Sequence, residues 1–288
     1  MGLNDHNDRD GHGGHGGHGG HGGHGGHGGH GGHGIRNDRD IRTVDDVLSL
    51  LDGLFAPDAD RWSGGGADWW DGFYADRDKP VPFFVAKPDE SLVSYVERGL
   101  LPAGGGRALD LGCGPGRNSL YLASLGYRVD AVDLSPTAIR WAEERAGNAG
   151  ATNIRFVRGD AFAPGTALDG PYDLVHDSGC FHHLPPHRRV SYLALLDRVL
   201  APGGHFTLTA FAAGEGGMGS ELPDADLYRQ GRLDGGLAYT DTSLKAIFAD
   251  LTEIEVRRMR DEPADSPAFG ESFLWTGLFR RHLGQSPG

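Results

Sequence analysis

The chain has 288 residues, and 27 Lys and Arg against 40 Asp and Glu leave it at −13. That acidity repels phosphate backbones and no cluster of basic residues offsets it, so nucleic acid is excluded as an expected partner. Two cysteines, Cys113 and Cys180, cannot build a disulfide framework. The N-terminus lacks the layout of a signal peptide, and no apolar run approaches the ~18 residues of a membrane span, so a cytoplasmic protein without a membrane partner is expected.

From Gly11 to Gly34 a histidine recurs every third residue (His12, His15, His18, His21 and onward to His33) with only glycine between. Glycine loses the most backbone entropy on folding, and the segment has no apolar area to offset that loss. Residues 1–40 are therefore expected to be a disordered tail. Asn-Asp-Arg-Asp flanks the run at Asn7–Asp10 and Asn37–Asp40, the mark of repeat expansion. Imidazole is a good ligand for Ni and Zn, so His12, His15, His18 and His21 are candidate metal ligands. A dispensable low-complexity extension is the competing reading.

The remaining 41–288 is long enough for one domain. Thr43–Phe55 has apolar residues at helical spacing, with Thr43 as N-cap over Asp46. Gly64–Gly66 interrupts the chain before the aromatic run Asp68–Tyr74. Pro80, Pro82 and Pro88 keep the next stretch extended until a helix runs from Asp89 to about Gly99. This first part, about 41–106, reads as a helical and aromatic cap.

Beyond Arg107, apolar strands alternate with helices. The strands expected are 108–111, 128–132, 154–157, 172–176, 205–210, 253–259 and 272–280, with helices at 117–125, 136–146, 186–200 and 242–249. That order predicts an α/β fold, a seven-stranded, mostly parallel Rossmann-like sheet with helices on both faces. The last two strands have no helix between them and predict an antiparallel hairpin at one edge.

In Arg107–Leu125 (RALDLGCGPGRNSLYLASL) a strand ends at Asp110 and Leu111, Gly112, Gly114 and Gly116 follow, and a helix begins at once. Such a turn lets a ligand approach the backbone and offers it the free N–H groups of a helix start. Asp133 lies 21 residues after Gly112 at the end of a second strand, where a carboxylate can accept both hydroxyls of an adenosine ribose. Asp160 ends a third strand, where it can meet an adenine amino group with Ala161 and Phe162 beside the ring. A dinucleotide fingerprint needs Gly-x-Gly-x-x-Gly, whereas this turn is Gly-x-Gly-x-Gly with Pro115 inside it.

LDLGCGPG, VDLS, GDAF, PYDLVHDSGCFHHL and LAPGGHFTLTAF, in that order, resemble the class I S-adenosylmethionine-dependent methyltransferases over about Leu92–Arg280. The flanks WWDGFYADRDKPVPFFVAKPDESL, DSGCFHHLPPHRR and YRQGRLDGG resemble a bacterial small-molecule branch related to the thiopurine S-methyltransferase and tellurite-resistance methyltransferase group. The resemblance implies S-adenosylmethionine as co-substrate. It assigns Asp110 to the methionine amino group, Gly112, Cys113 and Gly114 to the methionine and ribose, Asp133 with Leu134 to the ribose, and Asp160 and Ala161 to the adenine. It also implies an N-terminal cap folded over the methyl donor, where Trp69, Trp70, Phe73, Tyr74, Phe83 and Phe84 are candidates, core packing being the other account of the same rings.

The reaction this implies is in-line SN2 transfer of a methyl group to a small molecule, such as a thiol or another soft nucleophile. An N- or O-acceptor, or metal handling by the tail, are the alternatives. Thiolates and tertiary amines need no base, whereas hydroxyls and protonated amines do. Tyr172–Leu184 supplies His176, Asp177, His182 and His183 near the strand ends. Asp177, His182 and His183 are the catalytic candidates, against structural readings in which Asp177 caps the following turn and the histidines pack. No Asn/Asp-Pro-Pro-Tyr/Phe follows the fourth strand, which disfavours planar exocyclic nitrogens. Gly214–Gly236 is an irregular glycine-rich loop placed to select the substrate, with Met218, Tyr228, Arg229, Arg232 and Tyr239 as candidate lining. The sequence carries no signal for an oligomeric state.

Overall fold

The computed structural model describes residues 41–163, 165–214, 216–233 and 235–284, so the tail histidines and any metal on them lie outside the described residues. The cap comes first, as α1 (Val44–Asp52), α2 (Ala67–Ala75) and α3 (Glu90–Glu97). Thr43 caps α1 as its sequence requires: its hydroxyl accepts from Asp46 N–H, and the Asp46 carboxylate accepts from Thr43 N–H.

Strand and helix then alternate through β1 (Arg107–Leu111), α4 (Arg117–Ser124), β2 (Arg128–Asp133), α5 (Pro136–Ala149), β3 (Ile154–Arg158), β4 (Tyr172–Ser178), α6 (Arg188–Val199) and β5 (Leu200–Phe211). The chain closes with α7 (Asp224–Gln230), α8 (Asp241–Ile247), β6 (Thr252–Arg258) and β7 (Leu274–Arg280). The sheet order is β3-β2-β1-β4-β5-β7-β6. Strands β1 to β5 pair in parallel, and β7 is antiparallel to both β5 and β6. The last two strands thus pair antiparallel at one end of the sheet, but the later one lies inside, and β6 forms the edge.

The strand order reverses between β1 and β4, the place where open α/β sheets leave a crevice at the carboxyl ends of their strands. One face of the sheet is closed by a core that includes Phe181, Tyr192, Leu196, Phe206, Phe248 and Phe279, all buried. Each contributes roughly 1.5–3 kcal/mol through removal of apolar surface from water. The other face buries Leu92, Tyr95, Leu122, Tyr127 and Val129.

Two elements differ from expectation. Residues 67–75 form a helix although Trp, Phe, Tyr and Gly72 are poor helix formers. Tertiary contacts hold it: the Asp71 carboxylate accepts Thr137 N–H at 2.7 Å and Ser135 Oγ–H at 3.2 Å at the start of α5. The irregular loop at 214–236 contains α7, stopped by Gly231 at φ 64.

Candidate functional site

A cavity of about 560 Å³ opens over the carboxyl ends of β1, β2, β3 and β4, within the ~300–1,000 Å³ usual for small-molecule sites. Asp110, Asp133 and Asp160, at or just beyond the ends of three adjacent strands, all line it. So do Gly112, Cys113, Gly114, Leu134 and Ala161, so every residue assigned to the nucleoside at the sheet faces one space.

The carboxylates are fixed before any ligand arrives. Asp133 accepts Gly114 N–H and Ser135 N–H, each at 2.8 Å. Burial nevertheless pushes its acid up to about 6. Asp110 accepts Ser119 Oγ–H at 2.5 Å, and burial raises it to about 7. Asp160 accepts Phe162 N–H at 2.8 Å, and burial raises it as well. These groups are buried or half-buried acceptors with no cationic partner in contact among the described residues, a setting in which a ligand's ammonium or hydroxyl donors are worth more than in water.

Gly112 and Gly116 hold positive φ, 64° and 77°, and their bare Cα atoms make room for protein. A Cβ on Gly112 would meet Cys180 Cβ at 2.9 Å, and one on Gly116 would meet Ala142 Cβ at 2.9 Å, where α4 lies against α5. These two glycines therefore serve the packing of the turn itself, whereas close ligand approach was the reason read from the sequence.

The cap supplies the facing wall. Helix spacing stacks Trp69 on Phe73 (5.2 Å) and Trp70 on Tyr74 (6.0 Å), and Phe83 extends the first column from Phe73 at 6.1 Å. All five rings line the cavity. Phe84 instead packs edge-on against Trp141, at 5.2 Å, in the seam between α2 and α5.

Beyond β4 the candidates separate. Asp177, expected at the site, is not among the lining residues. It is fully buried and accepts Cys180 N–H (2.8 Å), Phe181 N–H (3.0 Å) and Tyr192 Oη–H (2.7 Å), so it caps the turn after β4. Burial raises it to about 7. His182 and His183 do line the cavity. His182 stacks on Phe211 at 3.7 Å and its Nδ1 accepts Phe211 N–H, which fixes the ring. His183 packs edge-on to Trp70 at 4.9 Å and its buried Nδ1 has no partner among the described residues. Burial, helped by Arg61, lowers its imidazolium to about 4. His176 is buried below the floor, bonded through Nδ1 to Thr207 Oγ1 at 2.8 Å.

Several lining groups had no sequence signal. Arg117 pairs with Asp89 at 2.6 Å, donates to Ser178 Oγ at 2.9 Å and lies over the Phe269 ring at 4.5 Å. That cluster pins the start of α3 to the sheet. Of the loop candidates, Met218 lines the cavity, and Arg232 lines an annex of about 200 Å³ that shares Arg61, His183 and Gly235 with it. Tyr228, Arg229 and Tyr239 line neither. Tyr228 instead accepts His187 N–H and bonds His187 Nδ1 at 2.9 Å, while His187 Nε2–H reaches Asp52 at 2.7 Å. Asp52 also accepts from Arg188 and from Trp62 Nε1–H, so one carboxylate on α1 joins the cap, α6 and α7.

Among the described residues no group of three His, Cys, Asp or Glu side chains is placed to hold a metal ion. No helix among them is long and apolar enough to cross a membrane.

Residues 108–204 match the methyltransferase domain family. A 2-heptyl-1-hydroxyquinolin-4(1H)-one methyltransferase of Mycobacteroides abscessus is 32% identical over 130 residues, 45% of this chain and 56% of the relative. The chain thus spans little more than half the length of that relative. An uncharacterised methyltransferase of Schizosaccharomyces pombe is 36% identical over 104 residues, 36% of this chain and 70% of the relative. A solved structure concerned with the conversion of a disulfide bond into a thioacetal group during echinomycin biosynthesis superposes with a TM-score of 0.57 at 26% identity, over 76% of this chain and 94% of that one. With its sheet order, its glycine turn and these relatives, the chain belongs to the class I S-adenosylmethionine-dependent methyltransferases.

Proposed function

We propose that the chain methylates a small-molecule acceptor whose nucleophilic atom is ionised or lone-paired without help from the protein, a thiol or an acidic hydroxyl foremost. The observation that carries this reading is the convergence of Asp110, Asp133 and Asp160 on one aromatic-walled cavity. S-adenosylmethionine, when bound, supplies a methyl group made electrophilic by positive sulfur. Asp133 is then the acceptor for the ribose hydroxyls, Asp110 for the methionine ammonium, and Asp160 with Ala161 for the adenine edge. The rings of Trp70 and Tyr74 exclude water and offer π-faces to the sulfonium.

Among the described residues the acceptor half of the cavity has no strong base. Asp177 is committed to the turn, and burial keeps His183 and His182 neutral and weakly basic. A base this weak adds little for substrates that must lose a tightly held proton. That favours acceptors that ionise by themselves, consistent with the hydroxyquinolone named for the mycobacterial relative and the sulfur chemistry named for the echinomycin structure.

Calorimetric titration with S-adenosylhomocysteine, followed by its release assayed against thiols, phenols, amines and tellurite, tests the reading. Binding in the micromolar range and turnover confined to self-ionising acceptors are expected. Absence of binding overturns it. The tail histidines, as an accessory Ni or Zn ligand array, are a separate proposal resting on their spacing alone.

A further inference from the structure

The acceptor half of the cavity is walled mainly by apolar and aromatic side chains. Trp69, Phe73 and Phe83 form a stacked outer column, and Phe211 and Phe273 stand on the sheet side. At the junction of cavity and annex sits Arg61, which lines both. Its guanidinium lies 3.8 Å over the Trp69 ring, and Nη1 donates to the carbonyl oxygens of Asp58 and Asp60, each at 2.8 Å. Nε and Nη2 have no acceptor among the described residues, and no carboxylate there pairs with this cation.

The neighbouring acids do not take its place. Asp60 accepts Trp62 N–H, Ser63 N–H and Ser63 Oγ–H, which ties it to its own turn. Asp58 lines the annex as its one described acid, facing two arginines there, Arg61 and the exposed Arg232. In a chain of charge −13, where Arg77, Arg98, Arg117, Arg188, Arg189 and Arg257 each pair with a carboxylate, the described lining of the annex carries two arginines to one acid. Burial outweighs the attraction of Asp60 and Asp58 and pulls the Arg61 guanidinium below its ordinary value. A planar guanidinium with a free edge, stacked on an indole, is suited to a carboxylate held in line with an aromatic ring.

We propose that the acceptor is a flat, apolar molecule carrying an anionic group, its rings between the aromatic walls and its anion on the free edge of Arg61. This rests on the methyltransferase reading for what happens next to the molecule, but its binding does not depend on it.

The test compares aromatic carboxylic acids with their uncharged amides (2-naphthoate and 2-naphthamide, cinnamate and cinnamamide, benzoate and benzamide) by calorimetric titration into the full chain, with and without saturating S-adenosylhomocysteine. At least one acid is expected to bind roughly tenfold or more tightly than its amide. Arg61→Gln is expected to bring the two within about twofold while leaving the amide's affinity in place, and Arg61→Lys to retain part of the preference. Thermal melting of both variants verifies that the fold is intact. The proposal is overturned if no acid in the panel outbinds its amide, or if the preference survives Arg61→Gln. S-adenosylhomocysteine that fails to bind indicts the methyltransferase reading alone, because the acid-amide comparison is also made without it.

Discussion

The Asp133 carboxylate at the end of β2 accepts the backbone N–H of Gly114 at 2.8 Å, so an acid that faces the cavity also clamps the glycine turn after β1. The residue is 8% exposed, and among the described residues no guanidinium or ammonium contacts it. Asp133→Asn keeps the side-chain volume but sets an amide NH2 against the N–H of Gly114 or Ser135, so it is expected both to loosen the turn and to lose the second acceptor. Binding of S-adenosylhomocysteine should weaken by about 1.5–3 kcal/mol, roughly 10- to 150-fold, read by calorimetry. An unchanged affinity would remove Asp133 from the nucleoside site.

The same binding should depend on pH. Burial raises Asp110 to about 7 and Asp133 to about 6, and both must be ionised to serve as acceptors for ammonium and hydroxyl donors. Binding therefore favours the deprotonated forms, and affinity falls as pH drops through about 7 and then about 6. The dissociation constant for S-adenosylhomocysteine at pH 5.5 is expected to exceed that at pH 8 by roughly tenfold or more. Asp133→Asn should flatten the lower part of that curve and leave the part belonging to Asp110.

His183 separates two kinds of chemistry. Removing a working general base costs ~10²–10⁴ in rate. Because burial holds His183 at about 4, His183→Ala is expected to lower kcat by less than roughly tenfold, and the pH midpoint of the rate should follow the ionisation of each acceptor. A midpoint that stays fixed across acceptors and disappears in the variant would restore His183 as base.

Asp177 is expected to act on stability alone. Asp177→Ala leaves the N–H groups of Cys180 and Phe181 and the hydroxyl of Tyr192 without their acceptor in a buried place. A loss of about 3 kcal/mol is expected, or a fall of roughly 6–12 °C in Tm, measured by calorimetric melting. S-adenosylhomocysteine affinity of the folded protein should stay within about twofold. A large loss of affinity with an unchanged Tm would place Asp177 in the site after all.

Deletion of Gly11–Gly34 removes the eight regularly spaced imidazoles. Retention of Ni and Zn on equilibrium dialysis is expected to be lost, with S-adenosylhomocysteine affinity and Tm unchanged. Loss of nucleoside binding on deletion would make the tail part of the enzyme.

The convergence of Asp110, Asp133 and Asp160 on one cavity was legible because each is placed by its own strand end. Asp110, Asp133 and Asp160 follow apolar runs that can only be strands, and a parallel sheet brings such ends together. The direction of Asp177 was not legible. β4 is buried on both faces, so alternation does not tell which side a residue takes, and only the position of Tyr192 on α6 decides it. The acceptor half was least legible. Arg61, Phe211 and Phe273 come from segments about 150 and 60 residues apart in sequence, none with a periodic pattern pointing inward. α2 was missed for a related reason: its residues disfavour a helix locally, and packing against α5 overrides them.

Asp52 reaches Trp62, His187 and Arg188 at once, and His187 in turn holds Tyr228. A foreign segment grafted between β5 and α8 without a match for Tyr228 leaves His187 one partner short beside a charged pair in a half-dry seam. Retailoring the stretch around α7 is thereby tied to the region before α2, and an exchange of one is expected to need a matching exchange of the other.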